Sequence, residues 1–114
     1  MALNTRIYPR HQVRIEVRYR ITGGASSAAT FDISRGGLFL ETSQKFTTGQ
    51  ALTLEISLPG KGLVLDIPAR VIHSHTGTRK GAGIEFGPLP ARDRRLLDDY
   101  IAQLAEAVEG TKTY

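Results

Sequence analysis

The sequence LTLEISL (residues 52–58) decides the fold, because it has an apolar side chain at every second position and a polar one between. This period of two is typical of a β-strand that buries one face and exposes the other. The run continues into the turn residues PGKG (59–62) and then into a second alternating run over residues 63–71. We therefore predict two strands joined by a turn, with Pro68 marking a bulge or an edge in the second strand.

Further strands are predicted on both sides of this pair. The same alternation covers residues 13–21, and shorter apolar or alternating runs occur at residues 29–33, 38–40 and 82–86. Glycine, serine and threonine separate these runs and predict the turns between them. About six short strands with turns favour a closed antiparallel barrel.

The apolar period changes from two to helical spacing near the C-terminus, which predicts one α-helix from about residue 91 to residue 109. Asp93 falls near the positive end of this helix, and Gly110 is its expected end. The helix is expected to pack against the barrel or against a partner. The apolar positions that define it are Leu97, Ile101, Leu104 and Val108.

The positive charge is concentrated at the N-terminus. The net charge is +4, and the first 20 residues alone carry +4, since they hold five arginines and one acid, Glu16. The remaining basic and acidic residues balance, which favours one local site for an anionic partner over a surface that coats nucleic acid. The five arginines are Arg6, Arg10, Arg14, Arg18 and Arg20.

Composition excludes several classes of protein. With 114 residues, the chain is expected to form one domain. It has no cysteine, which excludes disulfides and thiolate sites and is compatible with the cytoplasm, the location we expect. It has no run of 18 apolar residues, and its first residues lack the apolar stretch of a secretory signal, so we expect neither a membrane span nor such a signal.

Two short motifs are candidates for ligand binding. The first is Arg6-x3-Arg10, in which two guanidinium groups on an extended, proline-containing segment can grip phosphates or stack on bases. Arg10-x3-Arg14 has the same spacing, but Arg14 falls in an alternating strand and is interpreted, like Arg18 and Arg20, as strand surface. Taken alone, such arginines are also typical of a solvated terminus.

The second motif is Asp32-Ile-Ser34-Arg-Gly-Gly37, between two predicted strands. Alternation predicts Asp32 and Ser34 on one face, where the carboxylate can accept hydrogen bonds from a guanine edge and the hydroxyl can donate to a phosphate or base. Gly37 permits a positive φ and a close approach by a ligand. The alternative interpretation is an ordinary turn, in which these residue types are common.

Together the two motifs resemble the signature of the PilZ domain family of bacterial cyclic di-GMP receptors. Similarities extend over roughly residues 6–105, including Gly83-Ile-Glu-Phe86 and Asp93-Arg-Arg-Leu-Leu97. The resemblance implies a mainly β fold, a six-stranded antiparallel barrel of the split-barrel type with a C-terminal helix. Within it, residues 1–12 form a flexible ligand-binding arm, and residues 13–114 form the barrel and helix.

The resemblance also implies the site and its action. Arg6 and Arg10 bind the cyclic phosphodiester and stack on guanine, Asp32 and Ser34 recognise a guanine edge, and Gly37 lets the backbone approach. Binding orders the arm and changes the surface that a downstream protein partner meets, with consequences for motility or biofilm formation. Many family members carry another arginine where this chain has Thr5, so one bound molecule or a stacked pair remain alternatives.

The sequence is also compatible with other functions. The chain could be a ligand-free member of the same fold that serves pilus or motility machinery by contact alone, or, less favoured, an oligonucleotide-binding barrel, although aromatics are scarce at 7%. No convergent catalytic set is visible in the sequence, so we expect that the protein is not an enzyme and needs no cofactor or metal. We expect it to bind neither a membrane nor a nucleic-acid polymer, and to be a monomer or a homodimer. His73 and His75 lack a third ligand and are expected to be solvated, while Arg35 and His11 are secondary candidates for ligand contact.

Overall fold

Seven strands and one helix make up most of the part of the chain that the computed structural model describes. That part is residues 8–75 and 80–112, without the side chains of residues 63–65, 75 and 107–112. In chain order the elements are β1 (His11–Gln12), β2 (Glu16–Ile21), β3 (Gly24–Ile33), β4 (Gly37–Glu41), β5 (Ala51–Leu58), β6 (Gly62–His75), β7 (Gly81–Phe86) and α1 (Ala91–Lys112).

Six of these strands close into an antiparallel barrel. Their order around the ring is β3-β2-β5-β6-β7-β4, and β4 pairs back with β3 to close it. The short strand β1 lies outside the ring and pairs with β3. The predicted six-stranded barrel with one C-terminal helix is therefore confirmed, with a seventh strand added at its side.

Strand β5 shows why this sequence folds as a barrel. Leu52, Leu54, Ile56 and Leu58 are all buried, whereas Ser57 between them is exposed. The alternation that predicted the strand thus separates the interior of the barrel from its outer surface. The fully buried side chains around the ring are those of Val17, Tyr19, Ile33, Leu38, Leu40, Leu54, Ile56, Ile67, Val71 and Ile84.

Helix α1 packs on the barrel against β1 and β6. Its residues Leu97, Tyr100 and Ile101 are buried in the same core as the strand residues. The helix ends at Lys112, so Gly110 does not end it as we predicted; one glycine inside a helix costs only about 1 kcal/mol. Within residues 8–75 and 80–112, no helix combines the length and the hydropathy of a transmembrane segment.

Three irregularities in strand register shape the surface of the barrel. One lies between β5 and β6, where Asp66 adopts a φ of 54°; Pro68, our predicted bulge or edge position, pairs regularly with Thr53. The other two insert Phe31 as an extra residue in β3 and Ile72 as an extra residue in β6. An extra residue bends its strand and changes the direction of the neighbouring side chains. These two bulges flank the candidate site.

Candidate ligand-binding cleft

The pairing of β1 with β3 brings the N-terminal arm to the second motif. In this pair, Gln12 lies opposite Asp32, so Arg10 arrives beside the same carboxylate. The Nε atom and one terminal nitrogen of Arg10 both lie 3.1 Å from Asp32 Oδ1. The two side chains are 31% and 18% exposed, which makes this a half-buried ion pair at the surface. The structure thus joins the two predicted motifs through one residue of each.

A cleft of about 590 Å³ opens beside the Arg10–Asp32 pair. Small-molecule sites usually have volumes of about 300–1,000 Å³ and combine apolar walls with a few polar groups. This cleft has both kinds of surface, and it draws on the arm and on three strands. Its lining residues are Tyr8, Pro9, Arg10, Asp32, Phe39, Ile72 and His73.

Three of the lining residues lie in one row across four neighbouring strands. Asp32 of β3 lies opposite Phe39 of β4, Phe39 opposite Gly83 of β7, and Gly83 opposite His73 of β6. The His73 ring lies over Gly83, where a Cβ atom would come within 2.5 Å of the ring atoms Cε1 and Nε2. Glycine at this position therefore leaves the space that the His73 ring occupies.

Ser34 lies inside the turn between β3 and β4 and is fully buried. Its backbone N–H donates to the Gly37 carbonyl at 2.8 Å, and its hydroxyl donates to the same carbonyl at 3.3 Å. The hydroxyl oxygen also accepts a bond from the Gly36 N–H at 3.2 Å. Alternation predicts Ser34 on the same face as Asp32, but the chain turns after Ile33 and takes Ser34 inward. Contact between Ser34 and a ligand stays a prediction.

Gly37 has a structural reason that the sequence did not show. A Cβ atom at this position would overlap the carbonyl oxygen of Ile84 on the paired strand β7. The absence of a side chain therefore allows β4 and β7 to pair closely. An approach of ligand to the Gly37 backbone remains a prediction beside this role.

The other arginines of the first 20 residues behave as strand surface where they are described. Arg14 pairs with Glu41 at 3.2 Å, and Arg20 pairs with Asp66. Arg18 is exposed on β2. These contacts offset part of the local positive charge. Among the described arginines of this segment, Arg10 is the one that lines the cleft.

The remaining candidate residues for ligand contact are Arg6, His11 and Arg35. Arg6 lies outside the described residues, so its part in the site stays a prediction. His11 is half-buried in β1. Arg35 donates to both carboxylate oxygens of Asp98 on α1, at 3.1 Å each. This hydrogen bonding raises the pKa of Arg35 above its ordinary value.

Sequence reasoning missed Phe39, Ile72 and His73 as lining residues. For Ile72 and His73, the signal would have been the bulge in β6, but an extra residue within a strand has no distinctive sequence pattern. His73 is exposed, as we expected. Within the ranges 8–75 and 80–112, no group of three or more histidine, cysteine, aspartate or glutamate side chains is placed to hold a metal.

The sequence matches the PilZ domain family over residues 4–103. No curated protein matches it significantly. Among solved structures, it is similar to the inhibitor of motility MotI/DgrA of Bacillus subtilis, at 21% identity and a TM-score of 0.71, over 87% of this chain and 51% of that one. It is also similar to the PilZ domain of YcgR from Escherichia coli with c-di-GMP, at 16% identity and a TM-score of 0.68, over 93% of this chain and 95% of that one.

A third similar structure is the MrkH–c-di-GMP complex of K. pneumonia, at 15% identity and a TM-score of 0.74, over 90% of this chain and 52% of that one. The chain thus spans about half the length of the MotI and MrkH chains. At these identities, the likeness to each solved structure is one of fold.

Proposed function

The chain belongs to the PilZ domain family, and we propose that it is a receptor for cyclic di-GMP without catalytic activity of its own. The observation that carries the proposal is the Arg10–Asp32 pair at the edge of the 590 Å³ cleft. One of these groups suits the phosphates of the ligand and the other suits its guanine edge. The solved structures of the E. coli YcgR PilZ domain and of K. pneumonia MrkH are with c-di-GMP, which supports the same ligand class.

The chemistry of the pair explains why a guanine dinucleotide fits better than an arbitrary anion. A carboxylate accepts hydrogen bonds only, so Asp32 matches the N1–H and N2–H₂ donors of guanine. A guanidinium has five N–H donors in a planar fork, which suits a phosphodiester or the acceptors O6 and N7 of guanine. In the described state, both contacts between Arg10 and Asp32 use Oδ1. Ligand binding then brings in Asp32 Oδ2 and the remaining Arg10 donors.

The walls of the cleft suit the flat faces of the bases. Phe39 and the half-buried Ile72 supply apolar surface, and the exposed His73 ring and the Tyr8 ring supply aromatic surface. Burial of a base against such surfaces adds to the binding free energy and keeps water away from the charged contacts. The polar pair therefore provides orientation, and the apolar walls provide much of the contact area.

The proposal extends to a switch. The arm joins the barrel through the two residues of β1, and the ligand would touch both the arm and the barrel. Ligand binding therefore stabilises the docked arm, and the surface formed by the arm is what a downstream protein partner in the cytoplasm would recognise.

Calorimetric titration of the protein with cyclic di-GMP tests this proposal. Arg10→Ala removes a charge-assisted contact, so the affinity should fall by about 1.5–3 kcal/mol, or roughly 10- to 150-fold. Arg14→Ala is the matched control: it removes the same charge four residues away, from a side chain that is 76% exposed and paired outside the cleft. Its affinity should stay within about twofold of the unmodified protein.

Two results would overturn the proposal. If the unmodified protein shows no binding at high micromolar concentration, the function is wrong. If Arg10→Ala and Arg14→Ala weaken binding equally, the cyclic dinucleotide is attracted by overall charge and the cleft is not its site.

A further inference from the structure

Arg35 connects the N-terminal arm to helix α1. On one side, its Nε atom and one terminal nitrogen donate to the two oxygens of Asp98, at 3.1 Å each. This two-pronged geometry fixes the plane of the guanidinium group. On the other side, its guanidinium carbon lies 5.4 Å from the centre of the Tyr8 ring, within the range of a cation–π contact. Tyr8 in turn lines the cleft beside Arg10.

Arg94 of α1 binds both Asp98 and Arg35. Its Nε atom and one terminal nitrogen donate to Asp98 Oδ1, at 3.1 and 2.9 Å. The same terminal nitrogen donates to the backbone carbonyl of Arg35 at 2.6 Å. Helix α1 therefore contacts the turn between β3 and β4 in two ways: Asp98 binds the side chain of Arg35, and Arg94 binds its backbone carbonyl. This turn also contains Ser34 and begins two residues after Asp32.

We propose that Asp98 is a positioning residue for the ligand-binding arm: it holds Arg35 in place, and Arg35 holds the arm over the cleft through Tyr8. The ligand part of this inference rests on the proposed function, whereas the docking of the arm is a property of the protein alone. Because binding energies are reciprocal, cyclic di-GMP strengthens the attachment of α1 to the turn, and a partner that displaces α1 weakens ligand binding.

The first test needs no ligand. Hydrogen exchange of the backbone amides of residues 10–12 is compared in the unmodified protein, in Asp98→Asn and in Asp99→Asn. Asp99→Asn is the matched control, since it makes the same change of charge at the next position, on an exposed side chain. Asp98→Asn should speed exchange of the arm about two- to fivefold, the range of an exposed cation–π contact, and Asp99→Asn should not. Unchanged exchange of the arm in Asp98→Asn would overturn the inference.

The second test separates positioning from a merely structural role of the helix. Cyclic di-GMP affinity is measured for Tyr8→Leu, Asp98→Asn and the double variant, with Asp99→Asn as the control outside the site. Asp98→Asn should weaken binding about two- to fivefold, and Tyr8→Leu should weaken it at least as much, because the Tyr8 ring also lines the cleft. Asp99→Asn should bind within about twofold of the unmodified protein. Because both changes break the same chain of contacts, the double variant should bind no more weakly than the weaker single variant.

Multiplication of the two effects in the double variant would overturn the inference, since it would mean that Tyr8 and Asp98 act independently. Thermal unfolding of each variant checks that the barrel stays folded. If the unmodified protein fails to bind cyclic di-GMP, the proposed function falls, while the exchange measurement still decides the role of Asp98.

Discussion

Gly37→Ala is expected to destabilise the barrel in the absence of any ligand. A methyl group at this position would overlap the Ile84 carbonyl oxygen and lie 3.1–3.3 Å from two further backbone atoms of β7. Backbone atoms in a paired strand cannot swing aside as a flexible side chain can. Relief of the overlap therefore requires β4 and β7 to separate at this point.

The cost follows from the hydrogen bonds near Gly37. The Gly36 carbonyl accepts from the Phe86 N–H of β7 at 2.9 Å, a bond that separation would stretch. The Gly37 carbonyl accepts from the Ser34 N–H at 2.8 Å within the turn, which a shift of Gly37 would distort. Two such bonds are together worth about 1–3 kcal/mol, which is also the usual cost of overpacking. The free energy of unfolding should therefore fall by about 1–3 kcal/mol.

Urea unfolding of the ligand-free protein, followed by far-ultraviolet circular dichroism, measures this change. Gly24→Ala is the control, because it makes the same substitution in β3 where a Cβ atom would meet nothing within 4 Å. Its stability should stay within about 0.5 kcal/mol of the unmodified protein. If Gly37→Ala is as stable as Gly24→Ala, the packing explanation is wrong and this glycine is needed only for the ligand.

Two further predictions concern the core. Burial raises the pKa of Tyr100 above its ordinary value of 10.0, so above about pH 10 the unfolded chain ionises this group before the folded protein does. The free energy of unfolding should therefore fall as the pH rises there. Tyr100→Phe should reduce that fall when urea unfolding is compared at about pH 9 and about pH 11. Leu54→Ala should lower the free energy of unfolding by about 2–5 kcal/mol, because Leu54 is fully buried. Ser57→Ala in the same strand should change it by less than about 0.5 kcal/mol, because Ser57 is exposed. Equal effects of the two substitutions would contradict the assigned faces of β5.

The fold could be predicted because most strands bury only one face. In Leu52–Leu58, the apolar residues point inward at every second position, so the period of two is visible in the sequence itself. The helix was predictable for the same reason from its period, since Leu97 and Ile101 both reach the core. Its end was less predictable, because the cost of Gly110 is small compared with the packing of the rest of the helix.

The candidate site was only partly predictable. Arg10 and Asp32 belong to short motifs with recognisable chemistry, and the pairing of β1 with β3 brings them together. The bulge at Ile72 and the lining residue His73 depend on a register shift that no local pattern announces. Such features depend on tertiary pairing and become apparent only in the folded chain.

The contact between Arg35 and Asp98 was also beyond the sequence. The two residues are 63 positions apart, and each is an ordinary surface residue type in its own segment. Helical spacing alone places Asp98 on the polar face of the helix and indicates no partner for it. The docking of α1 beside the turn between β3 and β4 gives it a specific partner.

The comparison of cyclic di-GMP with cyclic di-AMP tests the central claim most directly, because the two ligands share their phosphates and sugars and differ only in their bases. Adenine lacks the N1–H and N2–H₂ donors that match Asp32. Titration of the unmodified protein with each ligand should show cyclic di-GMP binding at least about 100-fold more tightly, since a site built for hydrogen bonds rejects an analogue that lacks them. Asp32→Ala should remove most of this preference. Equal binding of the two ligands, or a preference that survives in Asp32→Ala, would contradict the assignment of Asp32 as the residue that recognises guanine.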